Sequence, residues 1–373
     1  MKRDLSFEYI LKPVGGACNN ACTYCYYLQN SERQAVKMER MPLWLAKKIV
    51  KDIAADEQEN ESTTAEIIWH GGEPLLAGID FYKSIFDYQK RFPISFKQSF
   101  QTNGELMTQE WCDLFKEYEC TVGFSMDGPP KIHDQQRKNR NGLGTSSKVL
   151  NGMKLCTGKG IKFGVLCVVT DLSSKYPETI SNYFYSKGIK NFDFLPSCKG
   201  GEEVMTSSSG SLSPYKFSIF MEKVFDWYLD KDDPDVDIRI ISNVMSRLFG
   251  GRNTLCSMQG TACGRFLTIY PDGKVMFCDD YEYTMFEALG NIKMESISQI
   301  IKGDRFRYMR ESVNRRLNKC QHCEVVTVCQ GGCPRHWNEE GSYFCSYYKE
   351  FYYYCYDKIS QILQNAGKNK IKM

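Results

Sequence analysis

Cys18, Cys22 and Cys25 are spaced C-x3-C-x2-C, with Tyr24 directly before the third, so three thiols share one short loop. Soft thiolates at such spacing are ligands for iron or zinc. A structural zinc site or an iron–sulfur cluster normally closes on four protein ligands. Three leave one metal position open, which suits a reactive centre. The plain alternative is three buried or incidental cysteines.

A second set of thiols lies far along the chain. Cys256 and Cys263 precede a β-rich run, an Asp272-Gly273 turn, a second run and Cys278. Asp-Gly between two such runs is a hairpin signal. Cys320-x2-Cys323-x5-Cys329-x3-Cys333 follows, and then Cys345. Zinc ribbons also use C-x2-C pairs, so zinc stays open at this point. Eight thiols fit two four-cysteine cages. The others (Cys112, Cys120, Cys156, Cys167, Cys198 and Cys355) are scattered and read as buried, inert thiols.

Polar groups able to serve such centres recur between the two sets. His70-Gly71-Gly72-Glu73-Pro74 pairs two glycines, which let backbone approach a ligand closely, with the carboxylate acceptor of Glu73. Gln101-Thr102-Asn103-Gly104 offers amides, and Ser125-Met126-Asp127-Gly128-Pro129 is followed by His133 and Arg137. Taken singly, each fits a turn or surface role as well as ligand contact. His133 reads as structural or solvent-exposed.

These groups need elements to hold them. Short β-rich runs at Glu8–Val14, Glu66–Trp69, Lys97–Gln101, Thr121–Ser125, Lys162–Thr170 and Asn191–Leu195 alternate with amphipathic stretches near 41–56, 80–91, 108–118, 145–159 and 176–187. Thr108 with Glu110, Thr145-Ser146-Ser147, and Pro177 with Glu178 are helix-start signals. The alternation predicts parallel βαβ units that wrap into an open, partial barrel, an α/β fold with its chemistry at the carboxyl ends of the strands. Each polar motif named above sits directly after one of these runs. Residues 200–214 read as a Gly/Ser loop, and Phe217, Phe220, Met221, Val224, Phe225 and Tyr228 as the core face of a helix. The aromatic tail from Tyr343 to Tyr356 reads as a closing helix.

Composition narrows the class. A chain of 373 residues with 42% hydrophobic and 25% charged residues is ordinary for a globular protein. A net charge of +3 argues against nucleic acid as the main partner, and no apolar run reaches the roughly 18 residues of a membrane span. Met1-Lys2-Arg3-Asp4-Leu5-Ser6 has no apolar signal core, which predicts a cytoplasmic protein. In that compartment 17 cysteines point to metal ligands rather than disulfides. No coiled coil or repeat appears, so a monomer is expected.

The C-x3-C-x2-C loop with Tyr24 and the Gly71-Gly72-Glu73-Pro74 motif resemble radical S-adenosylmethionine (SAM) enzymes. Cys263-x9-Gly273-x4-Cys278 and the cysteines after it resemble the SPASM extension of that superfamily. The likeness is closer still to anaerobic sulfatase-maturating enzymes. It runs through Tyr24-Cys25-Tyr26-Tyr27, Trp69-His70-Gly71-Gly72-Glu73, Gln101-Thr102-Asn103-Gly104 and Val122–Pro129. It continues in Cys278-Asp279, Leu289–Ile292 and Cys329-Gln330-Gly331-Gly332-Cys333-Pro334, about residues 8 to 355.

The resemblance implies a partial (β/α)6 TIM-type barrel over residues 1–235 and a SPASM domain over 236–373. It also implies SAM and three [4Fe–4S] clusters. The SAM-binding cluster would use Cys18, Cys22 and Cys25. One auxiliary cluster would use Cys256, Cys263, Cys278 and, by a chain crossover, Cys333; the other Cys320, Cys323, Cys329 and Cys345. Contacts to SAM would come from Tyr24, Gly71, Gly72, Glu73, Gln101, Asn103, Ser125, Asp127, Arg137 and Leu195. The implied reaction oxidises a Cys or Ser in a sulfatase Cys/Ser-x-Pro-x-Arg motif to Cα-formylglycine, with Asp279 as the base. A carboxylate beside an auxiliary cluster can take a proton while the cluster takes an electron. The plain alternative for Asp279 is a hairpin-end residue with local hydrogen bonds, and Asp280 is the second candidate base. Partners would be an unfolded sulfatase polypeptide and a reducing protein such as ferredoxin or flavodoxin.

Arg335-His336-Trp337-Asn338 departs from the more basic stretch of that family. A second reading is therefore a SPASM maturase that crosslinks a small ribosomal peptide through a thioether or carbon–carbon bond. A third is a zinc-binding structural protein.

Overall fold

The computed structural model describes residues 6–29, 40–198, 212–279 and 288–367. Residues 200–211 of the Gly/Ser loop, Asp280 and residues 1–5 therefore lie outside the described residues. The chain forms two compact units, one of Met1–Met126, His133–Phe163 and Gly264–Glu311, the other of Asp127–Ile132, Gly164–Cys263 and Ser312–Met373.

The first unit is built around strand β1 (Glu8–Leu11). Parallel partners flank it: β2 (Thr64–Trp69) on one side, and on the other a strand from far along the chain, β7 (Phe266–Ile269). Beyond β2 lie β3 (Ser95–Thr102) and β4 (Thr121–Ser125), both added in parallel. Beyond β7 the direction reverses to β8 (Lys274–Met276) and then β9 (Gly290–Asn291). The turn between β7 and β8 is the anticipated Asp272-Gly273 hairpin. Gly273 takes φ +85°, a conformation costly to residues with a β-carbon, and donates to the Tyr270 carbonyl at 2.9 Å.

Core burial follows the period-two alternation of the strands. Ile67 and Trp69 face inward with no exposed surface. Trp69 meets Tyr82 edge-on at 5.0 Å and donates its indole N–H to Gln98 at 2.8 Å, so its one polar atom is satisfied in the core. His70 and the glycine pair emerge from this fixed strand end.

In the second unit β5 (Phe163–Val169) pairs in parallel with β6 (Phe192–Pro196). The helices Pro214–Lys231 and Cys345–Asn365 pack face to face, with Phe217 4.7 Å from Tyr347. Tyr347, Phe351, Cys355 and Ile359 are the buried residues of the last helix, four apart and so on one face.

All six expected strands and all five expected helices are present, within a few residues of the sequence boundaries. Thr108 caps its helix by accepting from the Trp111 amide, and Pro177 opens another. Two details differ. Thr145 makes no side-chain cap; its hydroxyl meets His133 at 3.0 Å and the Arg137 carbonyl at 3.2 Å, while Asp134 binds the Ser146 amide instead. Trp227 rather than Tyr228 completes the buried face of Pro214–Lys231. Among the described residues, no helix is long and apolar enough to cross a membrane.

Candidate active site

The cysteine loop Cys18–Cys25 is clamped from two sides, both within the first unit. On one side the glycine pair docks against the segment leading into it: Gly72 donates to the Gly15 carbonyl at 2.9 Å and Glu73 to that of Ala17 at 2.8 Å. A β-carbon on residue 71 would stand 2.5 Å from the Gly15 oxygen. These glycines thus permit a close approach to the cysteine segment's own backbone. On the other side Ala21 donates to Lys138 at 2.7 Å and Thr23 to Gln136 at 2.9 Å, while the Arg140 guanidinium donates to the Cys18 carbonyl at 2.8 Å.

Glu73 is fully buried and accepts from Leu75 N (3.0 Å), Thr102 Oγ1 (2.8 Å) and Asn103 N (2.8 Å). Burial outweighs these donors and pushes its carboxyl up to about 7. Asn103 passes the order on, donating its amide to Asn19 at 2.8 Å with the Cys18 sulfur 3.6 Å away. These residues therefore shape the cysteine loop directly. Burial, and next the nearby Glu73, push the Cys18 thiol up to about 12; a metal bound there would favour the thiolate and release the proton.

Arg137 brings a cation to the same loop. Its guanidinium lies over the Tyr24 ring at 5.3 Å, with Cys22 sulfur 4.0 Å from one nitrogen. Gln101 is half-buried on β3 and reaches across Gly123, where any β-carbon would meet its amide at 2.3 Å. Ser125 ends β4, half-buried. In the second unit, fully buried Asp127 accepts from Val168 N at 3.0 Å, and Leu195 is 40% exposed opposite Val168 on β6. His133 is buried and spent on Thr145, a structural histidine.

Asp279 follows β8 by three residues and remains in the first unit. Its carboxylate is 2.5 Å from the ammonium of Lys12 and 3.7 Å from Nδ1 of His70. Lys12 was not among the residues singled out by sequence. The available signal was a lysine inside the otherwise apolar run Tyr9-Ile10-Leu11-Lys12-Pro13-Val14, in a segment read as a buried strand.

The second unit holds most of the later thiols. Cys320, Cys323, Cys329 and Cys345 line one cavity of about 420 Å³ together with Gly331, Trp337 and Tyr348. That room is far more than a water needs, and its donors are soft thiols suited to an iron–sulfur cluster. Among the described residues, no group of three or more His, Cys, Asp or Glu is drawn together tightly enough for a single metal ion. Trp337 also donates to the Gly331 carbonyl at 2.6 Å, so the segment after Cys333 serves as a wall of this cavity. Arg316 spans Gly260 O (3.2 Å) and Gly332 O (3.1 Å), tying the Cys256–Cys263 loop to the residue before Cys333. Of the six remaining cysteines, Cys112, Cys120, Cys156, Cys167 and Cys355 are buried and Cys198 is half-buried. Of the thiol sets that the family resemblance implied, Cys320, Cys323, Cys329 and Cys345 are the one whose members line a single cavity, with room and soft donors that fit an iron–sulfur group.

Comparison with known proteins agrees with this geometry. Residues 13–181 match the radical SAM superfamily, and residues 261–324 match the SPASM iron–sulfur cluster-binding domain. The cysteine-type anaerobic sulfatase-maturating enzyme of Clostridium novyi is 30% identical, over 97% of this chain and 98% of its own. The serine-type enzyme of Klebsiella aerogenes is 30% identical, over 93% of this chain and 84% of its own. The structure of anSMEcpe with bound AdoMet superposes with a TM-score of 0.86 at 28% identity, covering 96% of this chain and 99% of that one. That protein has also been solved with AdoMet and a Cp18Cys peptide, at TM-score 0.84. The fold is therefore the radical SAM α/β fold, parallel sheet with helices, extended by a SPASM domain. Within that class the chain belongs to the family of anaerobic sulfatase-maturating enzymes.

Proposed function

We propose that this protein oxidises a cysteine or serine in a Cys/Ser-x-Pro-x-Arg motif of an unfolded sulfatase to Cα-formylglycine. The observation that carries the reading is nearly full-length kinship with maturases of both the cysteine and serine type. A serine loses two hydrogens to become the aldehyde; a cysteine loses two to become the thioaldehyde, which water converts to the aldehyde with release of hydrogen sulfide. When bound, SAM and its [4Fe–4S] cluster supply a 5′-deoxyadenosyl radical for the Cβ hydrogen, and an auxiliary cluster supplies a sink for the second electron.

Three clusters are assigned. Cys18, Cys22 and Cys25 hold the one that binds SAM, and Cys320, Cys323, Cys329 and Cys345 one auxiliary cluster, a set supported by their shared cavity. Cys256, Cys263, Cys278 and Cys333 are assigned the other, and the Arg316 bridge supports the crossover to Cys333. Arg137 beside Cys22 suits the SAM carboxylate, since a guanidinium can fork to it. Tyr24, Gln101 and Ser125 are assigned further contacts, with Asp127 and Leu195 retained from the sequence. Gly71, Gly72, Glu73 and Asn103 are assigned SAM contacts as well, and they also fix the loop that carries its cluster. The division near residue 235 is supported by the separate ranges matched by the two families. A reducing protein partner and a monomeric state complete the proposal.

Asp279 is assigned the proton of the substrate thiol or hydroxyl. The alternative of a crosslinking maturase rested on residues 335–338. Trp337 there lines the thiol cavity, and the Asn338 side chain accepts from Glu340 and Gly341 N at 2.9 Å, so no observation favours that alternative. Asp279→Asn tests the role: the variant should keep its iron and cleave SAM while losing peptide oxidation. Full product formation would refute it.

A further inference from the structure

We infer that Lys12 is the positioning residue for Asp279, its buried ammonium holding the carboxylate in the orientation that receives the substrate proton. This rests on Asp279 being the base. Asp279 lies three residues beyond the end of β8. Its aim depends on what the carboxylate meets. One oxygen is 2.5 Å from Lys12 Nζ, and the other faces His70 Nδ1 at 3.7 Å.

Lys12 is itself held firmly. It directly follows β1, the strand with parallel neighbours on both sides, and donates its backbone N–H to Ile269 at 3.0 Å. The side chain has no exposed surface. Its ammonium donates to Tyr27 OH at 2.9 Å and stands 5.9, 5.4 and 5.1 Å from the ring centres of Tyr26, Tyr27 and Tyr270. Burial opposes the charge, but Asp279 and then the tyrosines hold the group well above its ordinary range, so it stays a cation.

A buried ion pair is weak evidence for stability, because replacing both partners by apolar residues is often neutral, whereas removing one leaves the other's charge uncompensated. What the charge at residue 12 meets at 2.5 Å is the Asp279 carboxylate. Moving a reacting group by about 1 Å costs about 10²-fold in rate, which sets the size of the expected effect.

Lys12→Met, Lys12→Arg, Asp279→Asn and the Lys12→Met/Asp279→Asn double variant would be compared as full chains. Each would be reconstituted anaerobically with reductant, SAM and a peptide containing Cys-x-Pro-x-Arg. Product, 5′-deoxyadenosine, iron content and thermal midpoint would all be read. Lys12→Met should keep its iron and its peptide KM, lose about 10²-fold in kcat, and release more 5′-deoxyadenosine per product. Lys12→Arg should recover most of the loss, and the double variant should match Asp279→Asn in iron content and in 5′-deoxyadenosine release. A Lys12→Met variant with undiminished kcat, or a Lys12→Arg variant as slow as Lys12→Met, overturns the inference. Should Lys12→Met shed iron, Lys12→Gln is judged by the same criteria. An active Asp279→Asn would sink the base itself; an inactive Asp279→Asn beside an active Lys12→Met would sink only the role of Lys12.

Discussion

The carbonyl oxygen of Ala17 lies 2.2 Å from the point where a β-carbon on residue 72 would stand. Two backbones meet there, the end of β2 and the approach to Cys18, and only a glycine lets them. The obstruction is main chain, so no side chain can swing aside to relieve it. Gly72→Ala should therefore push the two segments apart. The expected result is a protein that folds but lacks about four iron per chain and no longer cleaves SAM. Full iron content in that variant would contradict the docking argument.

Glu73 makes stability depend on pH. Its folded carboxyl is raised to about 7, so the native state binds this proton more tightly than the unfolded chain. Its contribution is fully present below the unfolded value near 4.5 and is lost as pH rises through about 7, a swing on the order of 3 kcal/mol. Glu73→Gln cannot titrate, and its thermal midpoint should fall less across that window than that of the native protein. Parallel curves would rule the effect out.

The strands and helices were legible because their burial alternates with the periods of two and 3.6 that the sequence displays. The cysteine spacing singled out the thiols, of which Cys320, Cys323, Cys329 and Cys345 line one cavity. Side-chain allegiances were not legible. Thr145 looked like a cap, yet Asp134, twelve residues earlier, takes the Ser146 amide. Gly71 and Gly72 read as a ligand-facing pair, and the pattern did not show that their missing side chains also make room for the chain's own backbone. Lys12 and Asp279 are separated by most of the chain and meet only because β7 joins the far side of β1. Local pattern carries no information on such a pairing.

The thiol cavity separates ligands from bystanders. Cys323→Ala should lose about four iron per chain while SAM cleavage continues, since Cys18, Cys22 and Cys25 are untouched. Cys156→Ala, within a buried helix face, should keep all its iron. Iron analysis beside 5′-deoxyadenosine release checks both, and unchanged iron in Cys323→Ala would dissolve the assigned cage.

Packing of the last helix is testable on its own. Phe351 is 1% exposed, with Tyr347 5.8 Å away and Phe225 at 6.2 Å. Phe351→Ala should cost about 3–5 kcal/mol. Ile362→Ala, 48% exposed on the same helix, should stay within about 0.5 kcal/mol. Thermal midpoints that fall equally would contradict the packing described.

The most direct measurement uses the anaerobically reconstituted protein with reductant, SAM and paired peptides bearing Cys-x-Pro-x-Arg or Ser-x-Pro-x-Arg. Mass spectrometry would follow each peptide together with 5′-deoxyadenosine. The account predicts conversion of at least one peptide to the formylglycine aldehyde, matched by 5′-deoxyadenosine. SAM cleavage that leaves both peptides unchanged would contradict it.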